Sequence, residues 1–404
     1  RIEVLRDGAG AQYGADAVAG VINIILDDAG DGGALEASYG AHHTKLEPID
    51  RTLTDGQSAS LAAKVGTSLG DDGFLRVGLE YKELRPTNRA GFDQIPPWDQ
   101  TPANLAVQGQ RNYQHGNGAA KDINGWFNSE IPLGESAVFY AFGTYNQRDT
   151  EGANYFRYPD GEANWPEVYP NGYRPVSIGE NLDLAGVAGV RGHVGEWDID
   201  ASLNHGRNAY TYRLRNSLNA SLGPSSPTRF KTGDYRFDQT LANVDISRLF
   251  AQGDNLHTFA SGVEYRVETY ETGAGDPASY AAGPFTDRPT GSQAGGGLTP
   301  QDEADLDRNV ASVYASLSSS FGEKFSTDAA VRYEHYSDFG GEVTGKLAAR
   351  YEFVPAFALR GALSKNFRAP SLGQIGYEST GTGYNSAGQL IQSRLLSVNN
   401  PIAR

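Results

Sequence analysis

The stretch FSTDAAVRYEH, Phe325 to His335, alternates so regularly that the rest of the chain can be read outward from it. Phe325, Thr327, Ala329, Val331, Tyr333 and His335 share one face, and Ser326, Asp328, Ala330, Arg332 and Glu334 share the other. A period of two is a strand with one mostly apolar and one polar side. The next segment repeats it, with Val343, Leu347, Ala349, Tyr351 and Phe353 set against Thr344, Lys346, Arg350 and Glu352. Upstream, Leu75, Val77, Leu79 and Tyr81 alternate with Arg76, Glu80 and Lys82, and Ile199, Ala201 and Leu203 with Asp198, Asp200, Ser202 and Asn204.

Thirteen such strands are predicted, near 32–42, 57–69, 73–85, 121–132, 136–149, 182–193, 197–213, 234–249, 256–270, 308–320, 324–337, 342–353 and 356–368. Several are long enough to cross a bilayer at a tilt, which takes roughly 9–11 residues. The connections also alternate. Gly70 to Asp72, Leu133 to Glu135, Val194 to Glu196, Ala251 to Asn255, Gly322-Glu323 and Val354-Pro355 are tight. The links at 43–56, 86–120, 150–181, 214–233 and 271–307 are long, with Ser337 to Gly341 the brief exception. Tight turns at one end and long loops at the other are the pattern of an outer-membrane barrel, with turns periplasmic and loops outside. Phe74, Trp197, Phe250, Phe321, Phe325, Phe353 and Phe357 crowd the tight turns, as an interfacial aromatic girdle would.

Composition agrees. Gly (50), Tyr (22) and Phe (17) favour strands and turns over helices, and zero Cys removes disulfides and thiolate metal sites. A net charge of −15 without a basic stripe argues against a nucleic-acid partner. The mean hydropathy of −0.48 does not argue against a barrel, where only alternate residues meet lipid. The longest apolar run, Ala17 to Leu26, is too short for a membrane helix.

Residues 1–28 break the alternation: RIEVLRDGAGAQYGADAVAGVINIILDD. They read as a strand at Ile2–Leu5, a turn at Asp7-Gly8, a small-residue helical turn at Ala15–Ala19 and a strand at Val21–Leu26. The segment closely resembles the C-terminal end of the plug domain of TonB-dependent receptors, through Arg1-Ile2-Glu3-Val4-Leu5-Arg6, Tyr13-Gly14, Ala17 and Gly20-Val21-Ile22-Asn23-Ile24-Ile25. Asp7, and Ala9 in place of the usual proline, depart from that pattern. Phe367-Arg368-Ala369-Pro370-Ser371-Leu372 resembles a stretch that follows a mid-barrel strand in the same family. The glycines lack the spacing of a dinucleotide or phosphate loop.

The resemblance implies an all-β fold, a transmembrane antiparallel β-barrel of 22 strands when complete and partial here, preceded by the end of an α/β plug. The expected boundaries are plug to residue 30 and barrel from 31 to 404. Upstream plug, a TonB box and about nine further strands are expected to lie outside this chain. The implied activity is TonB-driven uptake of a scarce solute across the outer membrane of a gram-negative bacterium, a ferric siderophore first, with an oligosaccharide, haem or cobalamin as alternatives. Implied partners are TonB with its inner-membrane complex, the outer-membrane lipid with its lipopolysaccharide, and a small-molecule ligand; no cofactor is implied. Arg1, Glu3, Arg6, Tyr13, Gly14, Gly20 and Asn23 carry the plug motif. A plugless porin or adhesin is disfavoured by residues 1–28, and no HExxH motif or cysteine nucleophile supports an enzyme.

Ligand recognition is expected in the long loops. The stretch 150–181 carries Tyr155, Phe156, Tyr158, Trp165, Tyr169 and Tyr173 interleaved with Arg157 and Arg174. Such rings stack on sugars, haem or catecholates and the arginines attract anions; equally, a loop of this length needs a small core of its own. Trp98 and Phe92 are weaker candidates. His42-His43 point to opposite faces, and the acidic runs at 27–31 and 302–307 lack calcium-loop spacing, so no metal site is expected. Arg332, Glu334, Arg350, Glu352, Lys346 and Asp328 are expected to pair across strands or to touch the plug.

Overall fold

The computed structural model describes residues 1–5, 10–14, 17–94, 96–97, 99–398 and 400–402. Strand β1 (Ile2–Leu5), helical turn α1 (Gly10–Tyr13) and β2 (Val21–Ile24) come first, with β1 and β2 paired as a small sheet of their own. Thirteen strands follow: β3 (Gly33–Leu46), β4 (Arg51–Leu69), β5 (Gly73–Leu84), β6 (Ala119–Pro132), β7 (Ala137–Ala153), β8 (Val176–Val194), β9 (Trp197–Arg215), β10 (Arg229–Gln252), β11 (Asn255–Ala274), β12 (Asp305–Phe321), β13 (Phe325–Tyr336), β14 (Gly340–Val354) and β15 (Phe357–Lys365). Each pairs antiparallel with its chain neighbours in one thirteen-stranded sheet running from β3 to β15. Among the described residues β3 and β15 do not pair with each other, so the wall is an open part of a barrel.

The alternation read from the sequence has a definite sense. On β13, Val331 and Tyr333 are 51% and 45% exposed, while Arg332 and Glu334 are 3% and 1% exposed. Leu61, Leu79, Leu203, Val263, Val313, Leu347 and Leu363 are exposed in the same way on other strands. A protein in water does the opposite. Apolar outside and charged inside is the arrangement that hydrocarbon around a barrel selects, and the ladders satisfy the backbone within the wall.

Charges on the inner face survive burial because they are paired. Arg332 lies 2.7 Å from Glu334 and 3.2 Å from Glu264. Arg308 grips Asp338 at 2.7 Å and approaches Glu268 at 3.7 Å. Arg350, nearer the open edge and exposed, pairs with Glu352 of its own strand at 2.7 Å. At the tight-turn end, rings follow one another around the wall: Phe250, His257, Phe321, Phe325, Tyr351, Phe353 and Phe357, with successive centroids 4.8–6.3 Å apart. Phe74 does not join the outer girdle as expected. It shares the inner face with buried Arg76 and packs against Gly30, because period two fixes its side.

Three further expectations are corrected. The link at 43–56 is no long loop: Glu47–Ile49 forms a 3-10 turn with Pro48 in its first turn, Asp50 takes the left-handed conformation (φ 47°), and β4 begins at Arg51. The loop ends of β8, β10 and β11 run about four to six residues beyond the alternation, to Val176, Arg229 and Ala274, where cross-strand pairing continues without an apolar stripe. A hairpin unsuspected from its glycine-rich sequence, β16 (Ser379–Tyr384) with β17 (Leu390–Leu395), follows the wall.

Candidate functional site

At the loop end the connections do not stand free; they interlock. Residues 85–118 and 154–175 are joined by buried Asp93, which accepts hydrogen bonds from the Tyr158 hydroxyl and from Asn112 Nδ2 (2.9 Å). Asn104, in helix α2 (Pro102–Val107), accepts from the Asp160 backbone at 2.8 Å. Residues 154–175 meet 216–228 where Trp165 Nε1 donates to the Ala220 carbonyl (2.8 Å) and the Tyr169 hydroxyl donates to Ser217 (3.2 Å). Fully buried Asn219 donates to the carbonyls of Ala278 and Ala281, both at 2.8 Å, beside helix α3 (Pro277–Tyr280). Arg288 donates to the carbonyls of Gly161, Glu162 and Asn164, with its guanidinium 4.5 Å from the Trp165 ring centre. The β16–β17 hairpin closes the series, since Asp302 accepts from the Thr380 hydroxyl (2.6 Å) and Tyr384 donates to Gly283 (2.8 Å). Burial would raise the Asp302 carboxyl, but hydrogen bonds from Thr380 and Thr299 hold it below the ordinary range.

This canopy divides the candidate binding residues. Tyr173 is 3% exposed, stacks on Tyr169 at 4.3 Å and donates to the Ala163 carbonyl; with Trp165, Val168, Leu218 and Ala220 these rings form the canopy's small core. Burial pushes the Tyr173 phenol far above its ordinary range, and burial with the Asp93 carboxylate does the same to Tyr158. Phe156 lies between Tyr158 and Tyr113, at 5.3 and 6.4 Å. Arg157 donates to Gln293 (3.0 Å) and to the Tyr155 carbonyl (2.9 Å), and Tyr155 itself is 73% exposed. Trp98 lies outside the described residues. The linchpins Asp93, Asn219 and Arg288 are single polar residues in loops, with no local signal to mark them, whereas Asp302, which heads the acidic run at 302–307, is buried as a hydrogen-bond acceptor and not solvated.

Beneath the canopy the inner face of the upper wall carries tyrosines that the sequence reading also passed over. Tyr210 and Tyr212 on β9, Tyr235 on β10 and Tyr377 succeed one another at 6.3–6.5 Å between centroids. The phenols of Tyr210, Tyr235 and Tyr377 are partly accessible. Tyr377 is delivered by the Phe367–Leu372 stretch, whose Pro370 carbonyl accepts from buried Arg308 at 2.9 Å and whose Ser371 caps helix α4 (Leu372–Gly376). Nearer the turns, a cavity of about 770 Å³ is lined by Glu130, Arg191, Asp200, Asp245 and Tyr314 among others. Tyr140 donates to Asp200 (2.6 Å) and Tyr314 to Asp245 (2.8 Å), each ring crossing a glycine, Gly189 or Gly262, where a Cβ would collide with it. Asp200 and Asp245 are themselves direct cross-strand partners. Among the described residues no group of three or more His, Asp or Glu is placed to hold a metal.

The N-terminal piece sits against this inner face. In the β1–β2 pair Glu3 is bonded to Arg1 (2.6 Å) and accepts from Asn23 Nδ2 (3.3 Å). Helical turn α1 packs against β12, β13 and β14; Gly14 (φ 93°) follows it and faces Arg332, and Gly20 also has positive φ. Tyr13 is exposed, and Arg6 lies outside the described residues. The chain then runs to β3 past Asp27, which is bonded to Lys64 (2.6 Å) and Arg76 (3.2 Å). The Lys64 hydrogen bond, with those from Ala29 and Arg76, lowers the Asp27 carboxyl to about 2.

A wall with lipid-facing apolar residues, an interlocked canopy and a small α/β piece against its lumen define an outer-membrane β-barrel. Residues 125–392, more than half of the chain, match the TonB dependent receptor-like β-barrel family, and the chain belongs to that family. It is 21% identical over 376 residues to the vitamin B12 transporter BtuB of Vibrio cholerae, covering 93% of this chain and 47% of that protein. It is 25% identical over 390 residues to the ferric enterobactin receptor PirA of Pseudomonas aeruginosa, covering 93% and 46%. The fold superposes on the siderophore receptor PirA of Acinetobacter baumannii with a TM-score of 0.60 at 16% identity, over 98% of this chain and 52% of that one. On the ferric enterobactin receptor PfeA of P. aeruginosa the TM-score is 0.64 at 14% identity, over 94% and 50%. The chain thus spans about half the length of the relatives it matches.

Proposed function

We propose that the intact protein takes up a scarce solute across the outer membrane, with a ferric siderophore as that solute and TonB, acting on the plug, as the source of energy. One observation carries this reading: the plug-type segment is seated on the lumen side of a lipid-facing wall, beneath an interlocked canopy. A passive pore has no use for a stopper held there. Residues 1–30 would be the end of the plug and 31–404 the barrel portion, consistent with the separate β1–β2 sheet. Tyr155, Phe156, Arg157 and the tyrosine row of β9 and β10 would meet the ligand, while Trp165, Tyr169 and Tyr173 hold the canopy in shape; Trp98 remains a candidate on sequence alone. The reading is of a non-catalytic transporter, as the named relatives are receptors and transporters.

Likeness to BtuB gives a second reading, cobalamin. Uptake of iron-55 enterobactin and of labelled cyanocobalamin by cells expressing the full-length protein, with and without TonB, separates the two. Iron uptake that requires TonB is expected. TonB-independent uptake of either probe, or a large open-pore conductance, would overturn the proposal.

A further inference from the structure

Five polar residues stand in one row across the inner face of β5–β9. Glu80, Asn124, Asn146, Asp183 and Asn208 are successive register partners, each opposite the next on the neighbouring strand. Because barrel strands are tilted, such a row slopes. Glu80 stands seven residues above the turn end of β5 at Gly73, and Asn208 eleven above the turn end of β9 at Trp197. At about 2.5 Å of height per residue, the row climbs about 10 Å from Glu80 to Asn208. Its upper end lies two residues from Tyr210 and opposite Phe237, at the foot of the tyrosine row. Its lower end shares a face with Arg76, which holds the linker from the N-terminal piece through Asp27. The row therefore joins the residues beneath the canopy to the level of that linker.

Side chains along the row are bonded to one another. Asn146 donates to Asn124, which donates to Glu80 at 2.9 Å. Asn208 donates to Asp183 at 2.6 Å and to Asn181 at 3.0 Å. A carboxamide has two N–H groups and an oxygen with two lone pairs, so neither chain exhausts its members. Among the described residues the Oδ1 atoms of Asn146 and Asn208 accept no hydrogen bond, and all five residues of the row are half-buried. The spare donors and acceptors face the lumen. Trp126, beside Asn124 on the turn side, crosses Gly78, where a Cβ would collide with the ring. The wall under helical turn α1 is different. There α1 packs on β12–β14, and Arg332 is locked between Glu334 and Glu264. Buried ion pairs fix a surface, since separating them strands a charge. Amides exchange partners at little net cost, because each lost hydrogen bond is replaced by another.

We propose that the row from Asn208 down to Glu80 is the track by which the transported solute descends between wall and plug, handed from amide to amide. Its chemistry selects a solute bearing amides, which donate and accept in one plane as asparagine side chains do. The track rests on the uptake reading above, and the variants below separate its failure from the failure of that reading.

The test uses the full-length receptor in cells, with iron-55 enterobactin and labelled cyanocobalamin, both amide-bearing, as probes. Binding is read on chilled, de-energised cells and import at growth temperature. Asn124→Leu/Asn146→Leu/Asn208→Leu keeps the side chains of similar size and removes their hydrogen bonds. This variant is expected to bind the carried probe within about twofold of wild type and to import it about tenfold more slowly. Asn146→Trp, which narrows the track, should slow import further. Ser326→Leu, inward on β13, should change neither binding nor import. Heat-dependent gel mobility confirms that each variant is folded. Wild-type import by the folded triple variant, or an equal loss of binding and import, would overturn the track. Import of neither probe by the wild-type receptor would overturn the uptake reading and the track together.

Discussion

Wall and canopy are held together by opposite means. In the wall, backbone ladders run strand to strand and the side chains only choose a face: lipid for Val331 and Leu347, lumen for Arg332 and Thr344. In the canopy, regular backbone pairing is scarce, and buried Asn219, Asp93 and Asn164, with half-buried Arg288, substitute for it by binding loop carbonyls and hydroxyls. The difference teaches where each part is fragile. A wall tolerates many residues of the right polarity; a canopy depends on a few particular ones.

The sharpest way to break the contrast is inside the wall, at a buried charge. Arg308→Ala in the full-length protein takes the cation from Asp338, leaves Glu268 with Arg266 and releases the Pro370 carbonyl, a loss of about 3–5 kcal/mol. Urea unfolding in detergent, followed by tryptophan fluorescence, should show the midpoint falling sharply; an unchanged midpoint would mean that the pair is replaceable by water. On the lipid side, Leu347→Arg should cost about 2–4 kcal/mol in a bilayer, while Lys346→Ala, one residue away and facing inward, should cost far less. Equal costs would mean that the two faces are misassigned.

For the canopy, Asn219→Ala removes two donors from buried carbonyls, worth about 1–3 kcal/mol locally. Faster protease cleavage within 275–304 and weaker ligand binding are expected, with the barrel's unfolding midpoint unmoved. A shift of that midpoint would show that canopy and wall fold as one unit.

The smallest effect concerns the link between the N-terminal piece and the wall. The Asp27 carboxyl is lowered to about 2 by Lys64, Ala29 and Arg76, from an ordinary value of 3.8. A depressed carboxyl stabilises the folded linker fully above its ordinary pKa and loses that contribution as pH falls through the folded value. A spin-label pair spanning residue 29 and the β4–β5 turn should therefore broaden in distance only below about pH 4. Asp27→Asn should show the broadening at neutral pH and no further change on acidification.

How much of this was legible depended on whether a feature repeats. The thirteen strands could be read because alternation such as Phe325 to His335 is a local property, seen without knowing any neighbour. The likenesses of residues 1–28 and of the Phe367–Leu372 stretch are visible in the sequence, although only the structure shows why the latter is held, by an arginine 62 residues upstream of Pro370. Phe74 was misassigned because proximity to a turn was weighed above its face. The loop aromatics were legible as a group, but not their division into an exposed Tyr155 and a buried Tyr173, since that depends on partners from other loops.

The sequence by itself determined the existence and polarity of the thirteen wall strands and most of the alternation of turns with loops, because period two and turn composition are written residue by residue. Tertiary structure alone decided which carboxylate meets which arginine, how the loops lock into a canopy, and that Asp200 faces Asp245 across two strands. Those contacts join residues tens to more than a hundred positions apart, and no local pattern can encode the register that brings them together.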